Sequence, residues 1–368
     1  MKITTRRDAL FGQLQTVTRA ASTRSAVQAL SGVQLLAADG AIDLRATDME
    51  IGLLVPLEGT VVREGGVVLP ARLLVDVIRA LPGDEVSLEL RAAEQDVEIV
   101  SGTATFHIRT LRSEDFPPFP EPEGERIHVP GEAFVETVLK VARSASRDET
   151  RPVLTGILVS ASGQDLRMVA TDSYRLSVKE TTLEQPLAGS FETNVPARAL
   201  QELTRLVQHE NAEQLAVSVR ANQVVFEVGG AVLSSRLIDG QFPNYRQLLP
   251  DAYEHDLRLA GGEIGEVVRR ISLLAQKNAP LRLAFTEGEL TVSARTPDVG
   301  EARETLPVPF AGEPLEIGFN PEFLRDGLEA LAGGDVLLRL ISPLRPGLIE
   351  AADGSGFQYL LMPIRLNV

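Results

Sequence analysis

The feature that most constrains this chain is a period. "VLPARLLVDVIRAL" (68–81), "NVPARALQELTRLV" (194–207) and "GFNPEFLRDGLEAL" (318–331) share one pattern, a small polar residue or Pro followed by an apolar stripe at helical spacing. Their prolines, Pro70, Pro196 and Pro321, lie 126 and 125 residues apart. Proline suits a helix's first turn, where its missing N–H would go unpaired anyway. A second helical stripe precedes each one: Leu10, Phe11, Leu14 and Val17; then Phe134, Val138 and Ala142; then Ile264, Val267, Val268 and Ile271.

The rest of each copy reads as sheet. "QLAVSVRANQVVFEV" (214–228) and "RLAFTEGELTVSAR" (282–295) alternate with a period of two around short polar turns, the pattern of antiparallel hairpins. "ATDME" (46–50) and "ATDSYRL" (170–176) fall in one slot of the repeat, and "SARTPD" (293–298) fills it in the third copy. Two Pro-containing linkers, "DFPPFPE" (115–121) and "QFPNYRQLLP" (241–250), align with Phe116 and Phe242 again 126 apart. The repeated Asp48 and Asp172 invite a reading as paired catalytic carboxylates. A repeated strand end is the more economical one. The chain therefore reads as an α+β protein of three similar domains, 1–121, 122–250 and 251–368, each with two helices packed on antiparallel sheet.

Composition narrows the function. The 368 residues contain no cysteine, which excludes disulfides, thiolate metal sites and thiol nucleophiles. The opening "MKITTRRDALFG" has basic residues with no apolar run behind them, so no secretory signal and no membrane partner are expected, and a cytoplasmic location is. His107, His128, His209 and His255 are scattered without HExxH spacing, and no GxxxxGK[ST] loop is present. "DGSGF" (353–357) reads as a hairpin turn. A metal-dependent nuclease would need clustered carboxylates. Asp48, Asp172 and Asp298 instead sit at equivalent positions of separate copies. No catalytic residue, cofactor or metal is expected.

Charge is unevenly spread. The six helical segments together carry +6, which leaves −21 on strands and loops of a chain whose net charge is −15. On charge alone, ordinary solvated helix faces explain this. Geometry favours a sharper reading. Twelve helices packed 8–10 Å apart would make a circle of about 100–120 Å, with a hole roughly 35 Å across. Two chains of six helices could close it around a duplex.

Five stretches now carry a family resemblance: "ATDSYRL", "RPVLTGIL" (151–158), "SRLIDGQFPNY" (235–245), "IGFNPEFL" (317–324) and "YLLMPIRL" (359–366). In this order, on a threefold repeat, the chain resembles the bacterial DNA polymerase III beta subunit, the replicative beta sliding clamp. The resemblance implies the DNA clamp fold, a head-to-tail homodimeric ring around duplex DNA, bound without regard to sequence. The ring would be non-catalytic, would confer processivity, and would be opened by a clamp loader. Partners would include the replicative polymerase alpha subunit, other polymerases and repair proteins, all docking through short peptide motifs. The implied peptide pocket is Leu154, Thr155, Thr171, Ser173, Tyr174, Arg175, Leu176, Pro243, Gln247, Leu248, Asn320, Phe323, Leu344, Pro346, Leu360, Met362, Pro363, Ile364 and Arg365. A flexible Met suits a groove that accepts several partners. Ser173, Tyr174, Gln247 and Pro346 depart from residues found in some members, which leaves peptide preference open. The resemblance further implies Arg24, Arg72, Arg151, Arg198 and Lys277 as DNA-facing, and Phe106, Ile108 and Leu273 at the dimer contact. A scaffold of three β-rich modules that does not act on DNA is the competing reading.

Overall fold

The computed structural model describes residues 1–120, 124–275, 279–297, 299–331 and 334–366. They form six helices: α1 (Arg7–Val17), α2 (Ala71–Ala80), α3 (Gly131–Val141), α4 (Ala197–Glu210), α5 (Gly261–Ile271) and α6 (Pro321–Glu329). The apolar stripes face inward as their spacing requires. Leu10, Leu14, Val17, Phe134, Val138, Ile264, Val267, Val268 and Ile271 are all buried. Phe11 is half-buried, its ring beneath the Arg79 guanidinium at 5.4 Å. Ala142 lies just past α3, in a 3₁₀ turn Ala142–Ser144.

The prolines of the repeat correct the expected helix starts. Only Pro321 lies within its helix, behind the Asn320 cap whose side chain accepts the N–H groups of Glu322 and Phe323. Pro70 and Pro196 instead end the strands Gly65–Pro70 and Phe191–Pro196. Their fixed φ suits an extended strand as well as a first helical turn, so the strand reaches one residue further.

The chain divides into two compact units, Met1–Glu132 with Arg198–Leu237, and Ala133–Ala197 with Ile238–Val368. In the first, a five-stranded sheet runs in the order Gly59–Arg63, Lys2–Arg6, Glu85–Arg91, Asp96–Ser101, Ala104–Arg109. Its eight-stranded sheet runs Ile127–Pro130, Gln214–Val219, Gln223–Val228, Ala231–Arg236, Ile51–Pro56, Ala41–Thr47, Gly32–Ala38, Gly65–Pro70. The second unit repeats the eight-stranded design as Phe191–Pro196, Gly156–Ser162, Asp165–Thr171, Arg175–Thr182, Phe357–Leu361, Gly347–Ala351, Asp335–Leu340, His255–Ala260. A four-stranded sheet, Gly300–Pro307, Glu289–Thr296, Leu281–Thr286, Leu315–Phe319, completes it.

Each large sheet is thus built from two copies of the repeat, joined by an antiparallel pair. Ser234 lies opposite Gly52 in one junction, and Leu360 opposite Leu176 in the other. Pairing across the repeat supplies partners to backbone groups that a single copy would leave open at its edge. Outside the sheets, each copy ties its first helix down in the same way. The N–H of Arg7 donates to Asp84, that of Gly131 to Glu213 and that of Gly261 to Gly334, at 2.8, 2.8 and 3.1 Å.

Candidate functional site

The two "ATD" stretches are strand ends, closing Ala41–Thr47 and Asp165–Thr171, and their Thr and Asp side chains are spent on the turns that follow. In the first unit the Thr47 hydroxyl donates to the Ile51 carbonyl at 2.9 Å and accepts the Met49 N–H at 3.0 Å. Asp48 Oδ1 accepts the N–H groups of Glu50 and Ile51 at 3.0 and 2.9 Å. The second unit repeats every bond. Thr171 donates to the Arg175 carbonyl at 2.7 Å, and Asp172 Oδ1 accepts from Tyr174 and Arg175 at 2.9 and 3.0 Å. Met49 and Ser173 both sit at φ +77°, a conformation L-residues rarely adopt and one these side-chain bonds compensate. So Asp48 and Asp172 are turn residues, each saturated within its own unit. The third copy departs from the pattern: Thr296 donates to Leu274 instead, and Asp298 lies outside the described residues. Among the described residues no group of three or more His, Cys, Asp or Glu could hold a metal ion.

In the second unit the turn adjoins the residues implied as the peptide pocket. Leu176 and Leu360 pack with Val169, Val178, Tyr245 and Leu348 in one buried cluster, against which Phe242 and Leu249 also lie. That cluster forms a floor. Around it Tyr174 and Leu344 are each 61% exposed and Leu248 41% exposed, costly positions for apolar side chains unless something covers them. Pro243 and Gln247 are exposed on the same linker as Tyr245. The Met362 N–H donates to the Tyr174 carbonyl at 2.9 Å, and Ile364 N–H to Gly318 at 2.7 Å, so the C-terminal run 362–364 is tied beside the turn. Met362, Pro363 and Ile364 are half-buried and Arg365 is exposed. Pro346 precedes Gly347, the register partner of Leu361, which places it next to that run. Leu154 is buried and Thr155 donates back to Pro152 at 2.7 Å, in the 3₁₀ turn Pro152–Thr155. Arg151 Nη1 links this segment to the turn through the Ser173 hydroxyl at 3.0 Å.

Arg175 stands apart from the other residues of that set. Its side chain is only 8% exposed. The guanidinium donates to Asp172 Oδ2 at 3.1 Å, to Asp326 Oδ2 of α6 at 2.6 Å, to the Tyr359 hydroxyl at 3.3 Å and to the Arg143 carbonyl. It also lies 4.2 Å from the centre of the Phe323 ring. Asp326 bridges onward to Arg143, its other oxygen at 3.2 Å. Burial works against the Arg175 charge, and the Tyr359 hydroxyl with the Asp326 and Asp172 carboxylates outweighs it, holding the group protonated. Burial likewise pushes the Tyr359 hydroxyl above its ordinary range. Arg175 therefore faces inward, as a strut between the "ATD" turn and α6. Periodicity could not reveal this, because Asp326 lies 151 residues away.

The basic residues separate in a similar way. Arg24 and Arg72 are exposed and form no side-chain ion pair with a described residue. Arg198 Nη1 is held by Asp48 Oδ2 at 2.6 Å, and Arg151 by Asp148 at 2.9 Å. The Thr150 hydroxyl and N–H, and then Arg151, hold the Asp148 carboxyl below its usual range. Lys277 lies outside the described residues. Of the residues implied for a dimer contact, Leu273 is 79% exposed and Phe106 37%, whereas Ile108 is 3% exposed and packs into its own unit. Phe106 lies on Ala104–Arg109, an outermost strand of its sheet, and Gly300–Pro307 is likewise outermost in the second unit.

Comparison with known proteins accounts for this architecture. The N-terminal domain of the DNA polymerase III beta subunit matches residues 1–120, its central domain residues 128–244 and its C-terminal domain residues 246–365. A beta sliding clamp of Streptomyces coelicolor is 32% identical over 378 residues, and one of Synechococcus elongatus 33% identical over 377, each alignment covering 100% of both chains. Among solved structures, a Bacillus subtilis DNA polymerase sliding clamp superposes with a TM-score of 0.93 at 27% identity. A Pseudomonas aeruginosa sliding clamp bound to griselimycin superposes with a TM-score of 0.91, also at 27% identity. Both cover 100% of each chain.

These matches, which span all three copies of the α+β repeat, make the chain a DNA sliding clamp, a non-catalytic class of protein. The chain belongs to the DNA polymerase III beta subunit family.

Proposed function

We propose that two copies of this chain close head to tail into a ring around duplex DNA, and that the ring tethers the replicative polymerase and other DNA-processing proteins. The observation that carries this reading is the family match in each of the three copies of the repeat. The exposed edges Ala104–Arg109 and Gly300–Pro307 support it, since joining them leaves neither open, with Phe106 and Leu273 as the apolar contacts. Domain limits at 1–121, 122–250 and 251–368 accompany the reading. Arg24 and Arg72, exposed and without an ion pair to any described residue, are the stronger DNA-facing residues, while Arg151 and Arg198 must first leave a carboxylate. Contact with phosphate alone is sequence-independent and salt-sensitive, which is what sliding requires.

Partners reach the clamp through short peptides laid on the surface built by Tyr174, Pro243, Leu248, Leu344, Met362 and Pro363 over the Leu176–Leu360 floor. A ligand-bound clamp from Pseudomonas aeruginosa is consistent with such a surface. Among the described residues no helix is long and apolar enough to cross a membrane, and a role on DNA in the cell interior supports a cytoplasmic location.

The test is solution mass followed by DNA topology. A persistent species near twice the 39.8 kDa chain mass, retained on closed circular DNA and released when the circle is cut, is expected. A stable monomer, or retention that survives cutting, would overturn the ring.

A further inference from the structure

The first unit holds a geometric twin of the proposed peptide surface, with different chemistry. The strand pair that sets Leu360 opposite Leu176 recurs as Ser234 opposite Gly52. The Met362 N–H bond to Tyr174 recurs as an Arg236 N–H bond to the Glu50 carbonyl, also at 2.9 Å. The linkers occupy the same place, Phe119 standing 126 residues before Tyr245. Together these elements line a groove of about 240 Å³.

The opposed leucines of the floor are replaced here by Gly52 and Ser234. A Cβ on Gly52 would come within 2.6 Å of Ser234 Oγ and 3.0 Å of the Phe119 ring, so the two small residues let the linker ring close over the floor. Where the second unit presents the half-buried Met362, the first presents Arg236, exposed and without an ion pair to any described residue. Met49, 51% exposed, stands at the rim. The apolar lining that remains comes from Met49, Ile51 and the linker residues 117–120, and it stands beside Asn222, Gln223 and Ser234. A guanidinium that pairs with no described carboxylate is suited to a ligand's carboxylate, and a groove-lining cation on a chain of net charge −15 provides local complementarity for an acidic ligand. Glu50 lines the same groove and repels densely charged ligands, which limits the fit to short peptides with isolated acids.

We propose that this groove is a second docking site, for a short polar peptide segment whose carboxylate pairs with Arg236. It works independently of the apolar surface in the second unit.

The four methionines, Met1, Met49, Met168 and Met362, make the test direct. Met49 reports this groove, Met362 the other surface, and Met1 and Met168 are buried. Methyl-labelled full-length protein is titrated with acetyl-Ser-Asp-Ser-Asp-amide. The Met49 methyl is expected to shift saturably with a midpoint of about 1 mM while Met362, Met1 and Met168 stay still. Arg236→Ala is expected to weaken binding by about fivefold or more, with Met1 unmoved as a check that the unit remains folded. No Met49 shift up to about 10 mM, an unchanged midpoint in Arg236→Ala, or equal binding of acetyl-Ser-Asn-Ser-Asn-amide would each overturn the proposal. Failure of the peptide surface in the second unit would show at Met362 with apolar-tailed peptides, and so is read separately.

Discussion

The turns 47–52 and 171–176 have nearly the same backbone and opposite surroundings. Both spend a threonine hydroxyl and one aspartate oxygen on closing the turn, and both leave the second aspartate oxygen for an arginine. In the first unit that arginine is Arg198, half-exposed on α4. In the second it is Arg175, buried among Asp326, Tyr359 and Phe323. One local design thus yields a solvated ion pair in one place and a buried charge network in the other. The lesson is that a motif fixes its own hydrogen bonds, whereas the dielectric around it fixes what those bonds contribute.

The largest expected effect separates the two pairs. Arg175→Ala or Asp326→Ala strands a buried charge and should destabilise the second unit by about 3–5 kcal/mol, whereas Arg198→Ala should cost the first about 1 kcal/mol or less. All four tyrosines, Tyr174, Tyr245, Tyr253 and Tyr359, lie in the second unit, so tyrosine fluorescence in urea follows that unit alone, and circular dichroism adds the first. Equal losses from the two pairs would erase the distinction.

Met362→Ala with Pro363→Ala should weaken an apolar-tailed partner peptide by about tenfold or more while the solution mass is unchanged, since the change removes contact area at the surface. Undiminished peptide binding would remove the C-terminal run from that surface. The corresponding Arg236→Ala in the first unit should leave the same peptide untouched.

Smaller effects probe what the turns share. Thr47→Val and Thr171→Val each delete one turn hydroxyl and should each cost about 1 kcal/mol, nearly the same in both units despite their different surroundings. A marked inequality would mean that the turns are less alike than their geometry. Arg24→Glu with Arg72→Glu should slow loading onto circular DNA most at low salt, with the effect fading as salt rises.

The smallest effect is alkaline. Burial raises the Tyr359 hydroxyl in the folded chain, so from about pH 10 upward the unfolded tyrosine ionises while the folded one stays neutral, and stability falls as pH rises. Tyr359→Phe should lose less stability over that window, as measured by urea midpoints at pH 9 and above.

Much of the fold was legible because it is local or repeated. The buried stripes of α1, α3 and α5, the hairpins 214–228 and 282–295, and the equivalence of the two turns all follow from spacing in the sequence. The proline pattern sets two of the helix starts one residue early, since proline's fixed φ serves a strand end equally well. The proposed site was legible only by resemblance. Spacing could mark 359–366 as an apolar strand, but it could not say that Tyr174, Leu344 and Leu248 stay exposed around it.

The sequence by itself determined the threefold repeat, the alternation of helix and hairpin within it, and the self-contained turns, because each depends on residues a few positions apart. The tertiary structure decided which charges are free. Arg175 meets Asp326 across 151 residues and Arg198 meets Asp48 across 150, while Arg236 meets no described carboxylate at all. Pairing at that range is set by the cross-repeat strand registers of Leu176 with Leu360 and Gly52 with Ser234, and no local periodicity encodes a register between strands that far apart.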